Sequence, residues 1–311
     1  MPATISHRRT ALALTLAAAC WGLGTVVSKR AVAELPPLTL LSVQLGASLT
    51  LLLSLMRVRG LPIRDRGASP LLGRLGVLNP GLAYALGLLG LVYITASLSV
   101  MLWAIEPLAI LFLAAWFLHE RIGPALVALS LVAIGGMLLV IYQPGTTGTA
   151  LGVALTIGGV ACCATYTVLT RRLLVTADST AQVVVAQQAH ALIFAFVLVA
   201  AVWLVGGSVL PPDVSVAGWA SAIGSGVLYY GLAYWLYLFG LRSVPASVAA
   251  LSFYLIPLFG VAGGFAFLGE RFGPTQWVGV VIVLVAIATI LWRGIEPAAR
   301  ATTTGPALSA D

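Results

Sequence analysis

Charge is what this 311-residue chain has least of: 9 acidic and 16 basic residues make up 8% of it, against 60% hydrophobic residues. So thin a polar complement cannot clothe a water-soluble domain of this size, and a soluble fold is excluded. Cysteine is scarce as well. Cys20, Cys162 and Cys163 have no metal-ligand spacing and all fall in apolar runs, so they read as small packing residues rather than a disulfide or a reactive thiol. The HExxH, GxSxG and Walker patterns are missing, which removes metalloprotease, hydrolase and ATP-driven pump. Missing too are the short alternating segments of a membrane barrel. No Lys or Arg stands at mid-depth in an apolar run, which argues against phosphorylated anions as ligands.

What the chain has in abundance is long apolar runs. Ten are read, at about 10 to 31, 38 to 56, 72 to 93, 95 to 118, 124 to 142, 150 to 170, 181 to 206, 215 to 240, 246 to 268 and 274 to 292. Each is long enough to cross about 30 Å of hydrocarbon as a helix. Connectors such as Tyr93 to Thr95 and Arg242 to Pro245 leave room only for tight hairpins, so successive helices are antiparallel neighbours. Residues 1–9 form a short polar start, and 293–311, rich in Ala, Thr, Gly and Pro, form a disordered tail.

The runs repeat. Gly81 to Pro124 lies on Gly231 to Pro274 at an offset of 150 without a gap, with 18 of 44 positions identical. Upstream, Thr25 to Arg30 matches Thr167 to Arg172 at offset 142. The chain therefore divides into halves at 10–142 and 150–292, each of five spans. Five is odd, so the second half enters the membrane from the opposite side: the expected fold is all-α, ten transmembrane helices in two inverted five-helix repeats. Basic residues near span ends stay in the cytoplasm. With both termini inside, thirteen of the sixteen fall inside and only Lys29, Arg30 and Arg271 outside. The net charge of +7 is thus a topology signal and not a nucleic-acid surface.

Leu118-His119-Glu120-Arg121-Ile122-Gly123-Pro124 and Leu268-Gly269-Glu270-Arg271-Phe272-Gly273-Pro274 resemble the "LGER" element that closes the fourth span of each half in EamA-type members of the drug/metabolite transporter superfamily. Trp21-Gly22 with Lys29 is similar to that family's opening pattern. Two departures are His119, where the family usually has Gly, and Cys163, which corresponds to Trp21. The resemblance implies a multi-pass permease of a bacterial plasma (inner) membrane, N-in and C-in. It would move small metabolites, amino acids or drug-like solutes, often outward, through a cavity lined by spans one, three, four, six, eight and nine. Neither an enzyme activity nor a cofactor is implied; the alternative is a membrane-embedded enzyme or sensor on the same fold.

Glu106 is the acidic residue at the middle of a span, where an ionised carboxylate costs a few kcal/mol unless paired, wet or protonated. Its repeat partner is Ile256, so it is expected to face the cavity, against a substrate amine or as a coupling proton site. Pro107 and Pro257 hold equivalent places and should bend their helices. Tyr230, Tyr234 and Tyr237 share one helical face, and Ser99, Trp103 and Glu106 another. Trp21, Thr25, Asn79, Tyr84, Tyr166 and Phe253 complete the expected lining, an aromatic wall suited to an organic solute. Glu120-Arg121 and Glu270-Arg271 are read as structural ends of their helices, and His190, near Gln187 and Gln188, as hydrogen-bonded structure. Gly260, Gly263 and Gly264 permit close helix contact, within a monomer or between the copies of a homodimer.

Overall fold

The computed structural model describes residues 7–62, 69–91, 93–94, 102–103, 105–141, 149–174, 177, 179–211, 213–268 and 273–292. Backbone groups facing hydrocarbon have to be satisfied within their own segment, and among the described residues the regular structure is helical throughout. The elements are α1 (His7–Glu34), α2 (Pro37–Val58), α3 (Pro70–Gly76), α4 (Ala83–Leu91), α5 (Glu106–Phe117), α6 (Pro124–Ile141), α7 (Ala150–Leu174), α8 (Thr180–Leu204), α9 (Val216–Ser225), α10 (Ala233–Leu241), α11 (Ala246–Ala250), α12 (Ile256–Leu268) and α13 (Pro274–Trp292). Every expected run holds a helix. Six are long and apolar enough to cross a bilayer, and four, in the fourth, fifth, ninth and tenth runs, are shorter. The tail at 293–311 lies outside the described residues, as do Ser99, Glu270 and Arg271.

Three runs are interrupted where the site will form. A π-helical turn, Val77–Leu82, joins α3 to α4, and another, Gly226–Leu232, joins α9 to α10. In the first, Asn79 leaves helical geometry at φ −150° and ψ 123°, followed by Pro80. A wide turn strands carbonyls that cannot find their usual donor, and inside a bundle other groups must supply one. The third and eighth runs both lean here on α8: Gln188 donates from Nε2 to the Tyr230 carbonyl and accepts from the Ser48 hydroxyl, while Gln187 donates to the Leu72 carbonyl at 3.0 Å. Gln44 on α2 likewise donates to Ser225 Oγ at 2.8 Å. These buried amides are scaffold. His190 is also scaffold, its Nδ1 lying 2.7 Å from the Ala186 carbonyl of its own helix.

The prolines expected to bend their helices stand at the starts of helical pieces within their runs. Pro107 and Pro257 are each the second residue of a helix, α5 and α12, where a missing N–H removes no bond. Before α12 the chain tightens into a 3₁₀ turn, Leu251–Leu255, and Ile256 N–H uses the Phe253 carbonyl that a continuous helix would have orphaned. The side chain of Pro257 lies outside the described residues.

Contacts recur at equivalent places. A Cβ on Gly90 would meet Thr156 Oγ1, and one on Gly240 would meet Leu14 Cγ at 2.6 Å. Those neighbours, like the glycines, are repeat partners, at offsets 142 and 150. Gly76 is pressed on the backbone of Gln187 and Gly226 on that of Gln44. Helices α6 and α13 meet through Gly136 and Gly279, each facing the other's carbonyl. Gly22 is set against Ile256 O and Gly260 N, so this glycine of the GxxxG stripe is spent inside the bundle, on α1.

Candidate functional site

The interrupted helices put nine aromatic rings together. Trp21 on α1 lies edge-on to Tyr229, Tyr234, Tyr237 and Phe253, with centroids 6.4, 5.6, 5.3 and 5.4 Å away. Tyr84 stacks on Trp103 at 5.8 Å and meets Tyr229 and Tyr230 at 5.7 and 5.6 Å. Tyr230 stacks on Tyr234 at 6.0 Å, Tyr166 reaches Tyr234 at 6.5 Å, and Tyr237 leans on Phe253 at 5.0 Å. Edge-on and offset pairs of this kind contribute about 0.5–1.5 kcal/mol each beyond their area. Both halves of the chain supply rings, so the cluster also fastens them to each other.

Hydroxyls tie the rings to the frame. Tyr234 donates to Asn79 Oδ1 at 3.0 Å, Tyr166 donates to Gln187 Oε1 at 2.8 Å, and the hydroxyls of Tyr84 and Tyr229 lie 3.1 Å apart. Asn79 can reach Tyr234 because its backbone has left the helix. The repeat is not followed in detail here. Gly87, the partner of Tyr237, leaves the slot that the Trp103 indole occupies, a Cβ there coming within 2.9 Å of the ring. In the other half the equivalent pair is Tyr237 against Phe253. The cluster is therefore lopsided, with more hydroxyls on one flank.

Of the expected lining, Trp21, Asn79, Tyr84, Trp103, Tyr166, Tyr230, Tyr234, Tyr237 and Phe253 come together. Glu106, the first residue of α5, joins them: its carboxyl interacts electrostatically with Cys163, Tyr229 and Tyr237. The Thr25 hydroxyl donates to the Trp21 carbonyl one turn back at 2.9 Å. Tyr229 is the ring that helical spacing missed. It lies inside the π turn beside Tyr230, their ring centroids 5.0 Å apart. Two polar atoms among the rings are buried with no hydrogen-bond partner among the described residues: the Nε1–H of Trp21, which is 5% exposed, and the hydroxyl of Tyr237.

Glu120 lies apart from the rings and caps another helix. Its Oε1 accepts from Ala246 N–H at 2.8 Å, and its Oε2 accepts from Ser247 N–H at 3.1 Å and from Ser247 Oγ at 2.5 Å. This carboxylate, expected at the end of its own helix, satisfies the first N–H groups of α11 in the other half. Arg171 holds the same corner, donating from Nε to the Val244 carbonyl at 2.7 Å. His119 adopts φ 54°, which explains why glycine would be the easy residue there. A second carboxylate, unnoticed in the sequence, works alike. Glu34 ends α1, accepts from Ser215 N–H at 2.7 Å and Ser215 Oγ at 2.9 Å at the start of α9, and lies 3.5 Å from Arg30.

The profile of the EamA-like transporter family matches residues 8–142 and again residues 150–292. A protein of Bacillus subtilis (strain 168) described as permease-like, YdzE, is 32% identical over 66 residues, which are 21% of this chain and 85% of that one. A solved crystal structure superposes with a TM-score of 0.77 at 18% identity, over 94% of this chain and 100% of its own, a likeness of fold alone. Two family matches that together span most of the chain, on an all-helical fold with bilayer-length helices, leave one conclusion: this multi-pass membrane protein belongs to the EamA-like transporter family, within the drug/metabolite transporter superfamily.

Proposed function

We propose that the chain is a secondary permease that exports small organic solutes by alternating access, with the aromatic cluster as its substrate site. The observation that carries this is the cluster itself: rings from both halves meet where α3–α4, α9–α10 and the ninth run are each broken, and a donor is left open among them. Interrupted helices at the boundary between repeats are how carriers expose a site at mid-depth. The equivalent glycine contacts and the two family matches support ten spans arranged as inverted halves, 10–142 and 150–292, between a cytoplasmic start at 1–9 and a cytoplasmic tail at 293–311. Glu34 and Glu120, each clamping a helix start of the opposite half, hold the pieces that must part if the halves rock.

Transport is tested in proteoliposomes. Purified protein should accelerate movement of members of a labelled panel of amino acids and organic amines over protein-free vesicles, with and without a pH gradient. Rates equal to those of empty vesicles for the whole panel would refute the reading. The bacterial inner-membrane topology, N-in and C-in, is tested separately. Reporters fused after Ala33, Tyr142 and Asp311 should read outside, outside and inside, and an outside signal at Asp311 would overturn the ten-span arrangement.

A further inference from the structure

The cluster has a charge imbalance that selects among solutes. Glu106 sits beside the rings, whereas the 16 Lys and Arg residues all lie at or beyond the ends of the runs, so no fixed cation shares its depth. The positive end of the α5 dipole offsets part of the cost of a carboxylate there, and only part. Among the described residues no side chain donates a hydrogen bond to it. Trp21 makes the independent second observation: a buried N–H, unpartnered, which can only donate. Acid and indole share two neighbours. Tyr229 and Tyr237, which interact electrostatically with Glu106, are also ring neighbours of Trp21 at 6.4 and 5.3 Å.

Resting on the reading of this cluster as the substrate site, we propose that it takes a monocationic primary amine without a carboxylate: ammonium against Glu106, an aryl body among the rings, and a neutral acceptor on the Trp21 N–H. The ammonium supplies the counter-charge that the fold withholds, and tyrosine and tryptophan faces favour it further. An acidic or zwitterionic analogue brings a second negative charge beside Glu106 with no Arg or Lys to receive it, and is disfavoured by the same imbalance.

Four probes that share a phenol and differ at one end test this: tyramine (cation), 2-(4-hydroxyphenyl)ethanol (neutral), 3-(4-hydroxyphenyl)propionate (anion) and tyrosine (zwitterion). Binding to the full-length protein in nanodiscs, read by calorimetry, should favour tyramine over the alcohol by about tenfold or more, as a charged hydrogen bond in place of a neutral one implies. The anion and the zwitterion should bind weakest. Glu106→Gln should remove most of the tyramine preference over the alcohol, bringing the two to within about twofold, and size-exclusion chromatography of the variant shows that it is folded. Trp21→Phe should weaken both by a similar factor. Preference for the propionate or for tyrosine, or tyramine selectivity that survives Glu106→Gln, would overturn the amine assignment while keeping the cluster as a binding site. Failure of all four to bind at millimolar concentration would overturn the assignment and the site together. Should the Gln variant not fold, the wild-type ranking decides alone.

Discussion

A single added methyl group at Gly76 or at Gly226 is expected to leave little folded protein. A Cβ on Gly76 would fall inside the Gln187 backbone, and one on Gly226 would lie 2.5 Å from the Gln44 carbonyl oxygen and 2.7 Å from its Cα. Backbone cannot rotate aside as a side chain can, so Gly76→Ala and Gly226→Ala should each cost about 3 kcal/mol or more, the upper end of what overpacking does. Gly46 on α2 is the control, because nothing lies within 4 Å of its added Cβ and alanine is the better helix former. Gly46→Ala should therefore match or exceed the parent. Thermal stability followed by size-exclusion chromatography in detergent separates the three. If Gly76→Ala and Gly226→Ala melted with Gly46→Ala, the close approach of α8 and α2 to the π turns would be refuted.

Glu120→Ala should be nearly as damaging, although its side chain is far from the rings. It removes the acceptor for two backbone N–H groups and one hydroxyl at the start of α11. Losing a helix cap typically costs about 1 kcal/mol and a hydrogen bond to a charged group about 1.5–3 kcal/mol. A total of about 3 kcal/mol is expected, with Ser247→Ala near 1 kcal/mol. The two act through one site, so the double variant should be scarcely worse than Glu120→Ala alone. Additive losses in that cycle would mean that Glu120 does not cap α11.

Much of this was legible in the sequence, for identifiable reasons. The hydrophobic runs locate the helices because hydrocarbon allows no other local solution. The gapless offset of 150 carries into the structure as paired features: π turns at Val77–Leu82 and Gly226–Leu232, and helices that begin at Glu106 and Ile256. Most of the ring cluster follows from helical spacing plus that repeat. What escaped was local geometry that residue identity does not encode. A π turn cannot be told from an α-helical one by periodicity over six residues, so Tyr229 is missing from the lining that helical spacing selects. The partners of Glu34 and Glu120 lie 181 and 126 or 127 residues away, at helix starts that no short-range motif predicts.

The central claim, that the cluster opens in turn to each side of the membrane, is tested most directly at Tyr230, which is 4% exposed. With Cys20, Cys162 and Cys163 replaced by alanine, a Tyr230→Cys variant can be offered a membrane-impermeant thiosulfonate in right-side-out and in inside-out vesicles. Alternating access predicts labelling from both sides, slowed in each case by a bound solute. Labelling from one side only, or from neither, would contradict it.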